Sequence, residues 1–119
     1  MTAVECLEWA KRSGVDYQRP INAFVDDFRR ATPGERRTLV ADPIRESGPM
    51  EGLVAAVVSA LSRECALAAP AWTEGVSSPS PFFALPARSF AMRLRLMVEA
   101  PAPFRVRNVF VPEDYLSRA

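Results

Sequence analysis

The stretch PMEGLVAAVVSALSREC, residues 49–65, decides the fold of this chain. Met50, Leu53, Val54, Val57, Val58, Leu61 and Cys65 recur at three- and four-residue spacing over about four turns, the period of an amphipathic helix. The other side carries Ala55, Ser59, Ser62 and Arg63. The β-branched residues would suit a strand, but the length of the segment and its stripe decide for a helix. Gly48-Pro49 opens it, and Glu51 sits where a carboxylate favours the positive end of the helix dipole. The spacing predicts the core helix of an all-α domain.

Upstream, Thr2-Ala3-Val4-Glu5 reads as a capping box, in which hydroxyl and carboxylate satisfy the orphan amides of a helix start. That helix is expected to reach about Arg12, with Lys11 and Arg12 complementing its negative end and Ser13-Gly14 stopping it. So short a helix needs tertiary contacts, expected from Val4, Leu7 and Trp9. A second helix starts near Asp16 or Pro20. Ile21, Phe24, Val25 and Phe28 fall at i, i+3, i+4 and i+7, an apolar stripe, with Asp26, Asp27, Arg29 and Arg30 mostly off it. Thr32-Pro33-Gly34-Glu35 combines an N-cap, proline at the first helical position and a capping-box glutamate. The third helix is brief, with Leu39 and Val40 inward and Asp42-Pro43 ending it.

Downstream, periodicity stops over residues 68–86. Ala-Ala-Pro-Ala-Trp and Ser-Ser-Pro-Ser-Pro break regular structure, and the segment is expected to cross the surface as an extended connection. Trp72, Phe82 and Phe83 would pin it to the helices, since burying a large side chain contributes roughly 1.5–3 kcal/mol. A fifth helix spans about 88–99. Phe90, Ala91, Leu94, Met97 and Val98 form one face, and Met92 and Leu96 a second strip flanked by Arg93 and Arg95. Two apolar strips mean a helix sandwiched inside the protein or half of an interface. Pro101 and Pro103 end it. Phe104, Val106 and Val109 fit a helical turn or a strand, and Phe104 reads as a core anchor. Pro112-Glu113-Asp114 starts a last short helix.

Together these signals predict an all-α single domain, residues 1–119, of about five helices. Residues 1–69 hold the N-terminal helices, 70–87 the Pro- and aromatic-rich connection, and 88–119 a C-terminal helix and an Arg-rich arm. With 119 residues, 49% of them apolar and 24% charged, the chain can bury a modest core without staples. The formal net charge of +1 provides no overall steering towards nucleic acid or an anionic membrane. Residues 88–119, however, carry six arginines against Glu99, Glu113 and Asp114. Lys11 is the only lysine, and guanidinium suits planar, partly desolvated contacts better than ammonium does.

The chemistry of a catalytic site is missing. With no histidine there is no Ser-His-Asp or Cys-His system and no zinc site of the common kinds. Five glycines form no phosphate-binding loop. Asp26-Asp27 and Glu113-Asp114 are neighbours, and neighbours on a helix point about 100° apart rather than converging on one bond. Cys6 and Cys65 read as free, buried thiols. No basic region followed by an apolar run opens the chain and no run reaches spanning length, so a soluble, cytoplasmic protein is expected, with no membrane partner. The chain reads as a binding protein and not an enzyme, without a catalytic residue, metal or cofactor.

Three segments carry a resemblance: FVDDFRRATPGERRTLVADP (residues 24–43), LAAPAW (67–72) and SFAMRLRLMVEAPAPFRVRNVFVPEDYLSRA (89–119). In this order they resemble small antitoxin-like bacterial proteins whose genes commonly sit beside nucleotidyltransferase-like toxins, and the C-terminal region of some larger helix-turn-helix regulators. The strongest likeness is the ending, an ESPxxFRRRNIFV-like pattern that here runs from Glu99 through Pro101, Phe104, Arg105, Val106, Arg107, Asn108 and Phe110 to Val111. Two departures stand out: Val106 replaces the middle arginine, and no helix-turn-helix module precedes Val15, so operator binding is not supported for this chain alone. The resemblance implies an antitoxin-like partner of a nucleotidyltransferase-like toxin, and neutralisation by occluding the toxin's active cleft is the mechanism expected here. Arg105, Arg107 and Phe110 would dock at an acidic metal-binding cleft, where arginine pairs bidentately with carboxylates, and Arg93, Met92 and Leu96 would extend the contact. Two other readings fit the same residues: a nucleic-acid-binding regulator subunit that uses these arginines, and a structural homodimer with Met92 and Leu96 at its seam.

Overall fold

The computed structural model describes residues 1–84 and 87–118. Residues 85 and 86 of the expected connection, and Ala119, lie outside the described residues. Helix α1 (Ala3–Ala10) starts at the expected capping box: the Glu5 N–H donates to the Thr2 hydroxyl at 3.1 Å, and the Thr2 N–H to the Glu5 carboxylate at 2.9 Å. Helix α2 (Gln18–Arg30) buries Ile21, Phe24, Val25 and Phe28, the stripe read from the sequence. Helix α3 (Pro33–Leu39) opens on the second capping box, Thr32 with Glu35. Helix α4 (Pro49–Glu64) follows, then a 3-10 turn (Ala71–Gly75), strand β1 (Phe82–Phe83), helix α5 (Phe90–Glu99), helix α6 (Ala102–Arg105), strand β2 (Val109–Phe110) and a closing 3-10 turn (Tyr115–Arg118). Among the described residues there are six α-helices, five of them seven residues or longer. The radius of gyration, 13.4 Å, matches the roughly 13–14 Å of one compact globule of this length.

Helix α4 is the core helix, and it is buried further round than one stripe requires. Every residue from Glu51 to Val58 is buried, the Ala55–Ala56 side included. Helices α1 and α2 pack on it, as do α6, β2 and the first 3-10 turn. The tightest approach is at Gly52, where an added Cβ would lie 2.8 Å from the Ser78 backbone nitrogen and 3.0 Å from the Ser77 carbonyl carbon. The loop is held there by backbone hydrogen bonds from Gly48 N–H to Ser77 O (3.0 Å) and from Ser78 N–H to Arg107 O (2.9 Å). Glu51 is 5% exposed, and its carboxylate receives the Lys11 ammonium at 2.6 Å. A buried carboxylate requires such a partner, and the pair ties the end of α1 to the start of α4.

In α1, Val4 and Leu7 are partly buried and pack on the main core, as expected of them, while Trp9 is not part of that cluster. The buried residues are Ala3, Cys6 and Ala10, a small side that lets α1 lie close to α2 and α4. Three expectations change. The 68–86 connection is not without regular structure. It contains the first 3-10 turn, and β1, which pairs in parallel with β2 in the register Phe82–Val109 and Phe83–Phe110. Residues 104–110 are both helix and strand, with α6 ending before β2 begins. The last expected helix is a 3-10 turn. Two-residue strands carry no alternation to read, so only the partner segment makes them strands.

The connection is pinned as its aromatics suggest. The Trp72 indole donates to Val40 O at 2.9 Å, the Tyr17 hydroxyl donates to Ala84 O, and Tyr17 and Phe82 lie 5.9 Å apart between ring centroids. The chain end is held by Arg29, which forks onto Glu64 at 2.9 and 3.1 Å and donates to Leu116 O at 3.0 Å. Cys6 and Cys65 are free thiols, Cys6 buried and Cys65 partly so; burial pushes the Cys6 thiol up to about 12.

Gly52→Ala should lower stability by about 1–3 kcal/mol in urea denaturation, because its Cβ meets backbone that cannot rotate away. Gly34→Ala, where an added Cβ meets nothing within 4 Å, should instead raise it by about 0.4–1 kcal/mol through the unfolded state. Four carboxylates are held below their ordinary values of 4.5 (Glu) and 3.8 (Asp): Glu5 by the Thr2 backbone N–H, Glu35 by the Thr32 backbone N–H, Asp27 by the N-terminal ammonium and Glu64 by the Arg29 guanidinium. The unfolded chain binds more protons in acid, so their stabilisation is complete above those ordinary values and is lost as pH falls through the folded ones. Melting temperature should therefore be flat from about pH 5 to about pH 7, with no histidine to titrate, and fall below about pH 4.

Candidate partner-binding face

Helix α5 starts where Ser89 caps it, its hydroxyl accepting from the Met92 N–H at 3.1 Å, and ends at Ala100 before Pro101. It is anchored by a narrow contact. Leu96 and Ala100 pack on Phe110, with Phe83 and Ala87 partly buried against them, in a small cluster separate from the main core. Phe83 and Phe110 stack tilted at 5.4 Å. Leu96 and Ala100 lie four residues apart, on one line along the helix. The wide apolar strip lies across the helix from them. Phe90 is 78% exposed, Val98 76%, Leu94 45% and Met97 40%.

This changes the expected use of the two strips at Leu96, while Met92 stays at the surface. Leu96, expected to touch a partner, is buried and is the residue that docks the helix. Either strip satisfies helical periodicity, and only the position of Phe110 on β2 decides which one is covered. Sequence reasoning therefore missed Phe90, Leu94, Met97 and Val98 as surface residues. The signal that points to them is the presence of two strips on a helix that has one small neighbour.

The other expected site residues separate into surface and interior. Met92 is 44% exposed. Arg93 is exposed, with its guanidinium 5.8 Å from the Phe83 ring centroid and its Nε donating to Ala87 O at 3.0 Å. Arg105 is exposed and has no side-chain partner among the described residues. Phe110 is buried between Phe83 and Leu96, and Phe104 is buried against Tyr115, edge to face at 5.7 Å. Arg107 is only 7% exposed. Its Nε donates to Thr73 O at 3.1 Å and its Nη1 to Pro103 O at 2.7 Å, tying the first 3-10 turn to α6. Burial lowers its affinity for the proton, a direction that an arginine tolerates without losing its charge. Arg107, Phe110 and Leu96 are thus buried and help to hold the fold, and of the six expected contacts Met92, Arg93 and Arg105 are exposed. Asn108, between Arg107 and β2, takes φ +63°, a left-handed conformation that asparagine adopts more readily than most residues.

Charge borders the exposed strip. Arg88, Arg93 and Arg95 lie on or just before α5, and Glu99, its only carboxylate, is paired with Arg95 at 3.3 Å. Among the described residues no group of three or more His, Cys, Asp or Glu side chains is placed to hold a metal ion, and no helix is long and apolar enough to cross a membrane. No family model, curated protein or solved structure matches this chain.

Arg107→Met should cost about 1–3 kcal/mol in urea denaturation, because the Thr73 and Pro103 carbonyls lose a charged donor. Arg105→Met should stay within about 0.5 kcal/mol of the parent.

Proposed function

We propose that this chain is a protein-binding domain that engages an acid-rimmed surface of its partner through α5, and that the partner is a nucleotidyltransferase-like protein held in check as a toxin is by its antitoxin. The observation that carries it is the exposed face of α5, where Phe90 and Val98 stand 78% and 76% in solvent beside Leu94 and Met97. A soluble monomer gains nothing by leaving a phenylalanine, a leucine, a methionine and a valine together in water, and such patches mark interaction surfaces. Large apolar groups rimmed by arginine are the mixture found at interface hot spots.

Charge selects the kind of partner. Pairing two copies about a two-fold axis near Leu94 would bring Arg93 and Arg95 close to their own counterparts, and like charges across an interface cost affinity. A partner with carboxylates around an apolar strip fits instead. The antitoxin-like resemblance of residues 24–43, 67–72 and 89–119 supplies the partner class, because a nucleotidyltransferase-like cleft offers metal-binding carboxylates. Neutralisation is then by occlusion: α5 covers apolar surface beside the cleft, while Arg88, Arg93 and the exposed Arg105 pair with its acidic groups.

Expression of a nucleotidyltransferase-like neighbour in a bacterial host, with and without this chain, tests the reading directly. Rescue of growth and a co-purifying complex are expected. The Phe90→Asp/Leu94→Asp double variant should melt like the parent, since both side chains are exposed, and should lose the complex; a complex that survives it rules out the α5 face. Light scattering showing a tight dimer of the parent that dissociates in this variant would assign the face to self-association instead.

A further inference from the structure

A second surface feature lies apart from α5. A groove of about 570 Å³ runs between the C-terminal half of α4 and the α6 segment, lined by Ser59, Arg63, Leu67, Pro103, Val106 and Arg107. Its volume falls within the roughly 300–1,000 Å³ of ligand sites. Two arginines line it, Arg63 from α4 and Arg107 from beyond α6, and no Asp or Glu is among its lining residues. Arg63 is exposed and has neither an ion pair nor a hydrogen bond to its side chain among the described residues.

Arg107 is the stronger indicator. It is buried, yet both of its hydrogen-bond partners are neutral carbonyls. These satisfy two N–H groups, and no carboxylate is within ion-pair distance of the positive charge among the described residues. Glu74, whose field reaches it, forms no ion pair with it. Buried charges are normally paired, and an oxyanion entering the groove would supply the missing partner in the forked geometry that guanidinium favours. The remaining wall is aliphatic, and Val106 stands 72% exposed at its edge. A free phosphate site would gather backbone amides and further polar donors. Here one hydroxyl, Ser59, accompanies the arginines.

We propose that the α4–α6 groove binds an acidic peptide segment of a partner protein, placing one carboxylate between Arg63 and Arg107 and a neighbouring apolar side chain against Leu67, Pro103 and Val106. The groove shares no residue with the α5 face, so this site stands whether or not α5 is the principal contact.

The test is a titration of the isotope-labelled full chain, followed by amide NMR, with three probes: a blocked Gly-Glu-Leu-Glu-Gly peptide, its Gln counterpart and inorganic phosphate. The Glu peptide should shift the amide signals of Ser59, Arg63, Leu67 and Val106 and weaken as salt rises. The Gln peptide should bind at least about tenfold more weakly, the loss expected when a charge-assisted hydrogen bond becomes a neutral one. Arg63→Glu, a change at an exposed position in the last turn of α4, should abolish the shifts and cost no more than the small stabilisation of a helix-end charge, so that the chain still melts cooperatively. Equal binding of the Glu and Gln peptides, no shift at groove residues, or unaltered binding by the Arg63→Glu variant overturns the proposal. Phosphate shifting the same signals as strongly as the Glu peptide also overturns it, in favour of a free-anion site.

Discussion

Everything in this molecule is arranged around the burial of α4. Over residues 51–58 this helix has no solvent face to spare, so α1, α2, α6, β2 and the first 3-10 turn each supply a piece of its coat. The constraint is sharpest at Gly52, where the 77–78 backbone comes so near that an added Cβ would lie within 2.8–3.0 Å of it. That approach brings the loop before β1 over the helix. In the same loop the Ser78 N–H donates to Arg107 O, and the Ser78 carbonyl accepts from the Asn108 side-chain amide at 3.3 Å. Glycine at this position is thus what lets the C-terminal third of the chain close over the N-terminal helices.

The coat is uneven, and its unevenness shapes the surface. The main cluster takes α1, α2, α4, Phe104, Val109, Val111 and Tyr115. Helix α5 belongs to a second, much smaller cluster built on Leu96, Ala100 and Phe110. An element with few buried apolar contacts sits at the low end of local stability, and its large apolar side chains are left in solvent. The arginines divide in the same way. Arg29, Arg36 and Arg107 hold backbone carbonyls and the chain together. Arg63 and Arg105 are exposed and have no side-chain partner among the described residues. Composition cannot separate these two uses, because each arginine is the same residue on paper.

Much of the fold was legible in the sequence. Both capping boxes, the Ile21–Phe24–Val25–Phe28 stripe and the core helix over residues 49–65 are local signals. Their physics operates within one or two turns, so the residues that express them lie close together in the chain. Phe104 could be recognised as an anchor for the same reason, a large aromatic just after a proline break. The candidate site was less legible. Its location on the fifth helix could be seen from two apolar strips among arginines, but the strip that faces out could not.

What the sequence determined by itself, then, is the first five helices, most of their starts, and which one is apolar enough to lie at the centre; propensity, capping and periodicity are properties of adjacent residues. Tertiary structure alone decided the remainder. Phe82–Phe83 became a strand because Val109–Phe110 lies beside it, and the small side of α1 turned inward because close packing on α2 and α4 rewards it. Phe110 on β2 covered Leu96 and so exposed Phe90, Leu94 and Val98. Arg107 was drawn inside by the carbonyls of Thr73 and Pro103, thirty-four and four residues away. Each of these outcomes depends on a partner distant in the chain or on a choice between equivalent faces, and no local pattern contains that information.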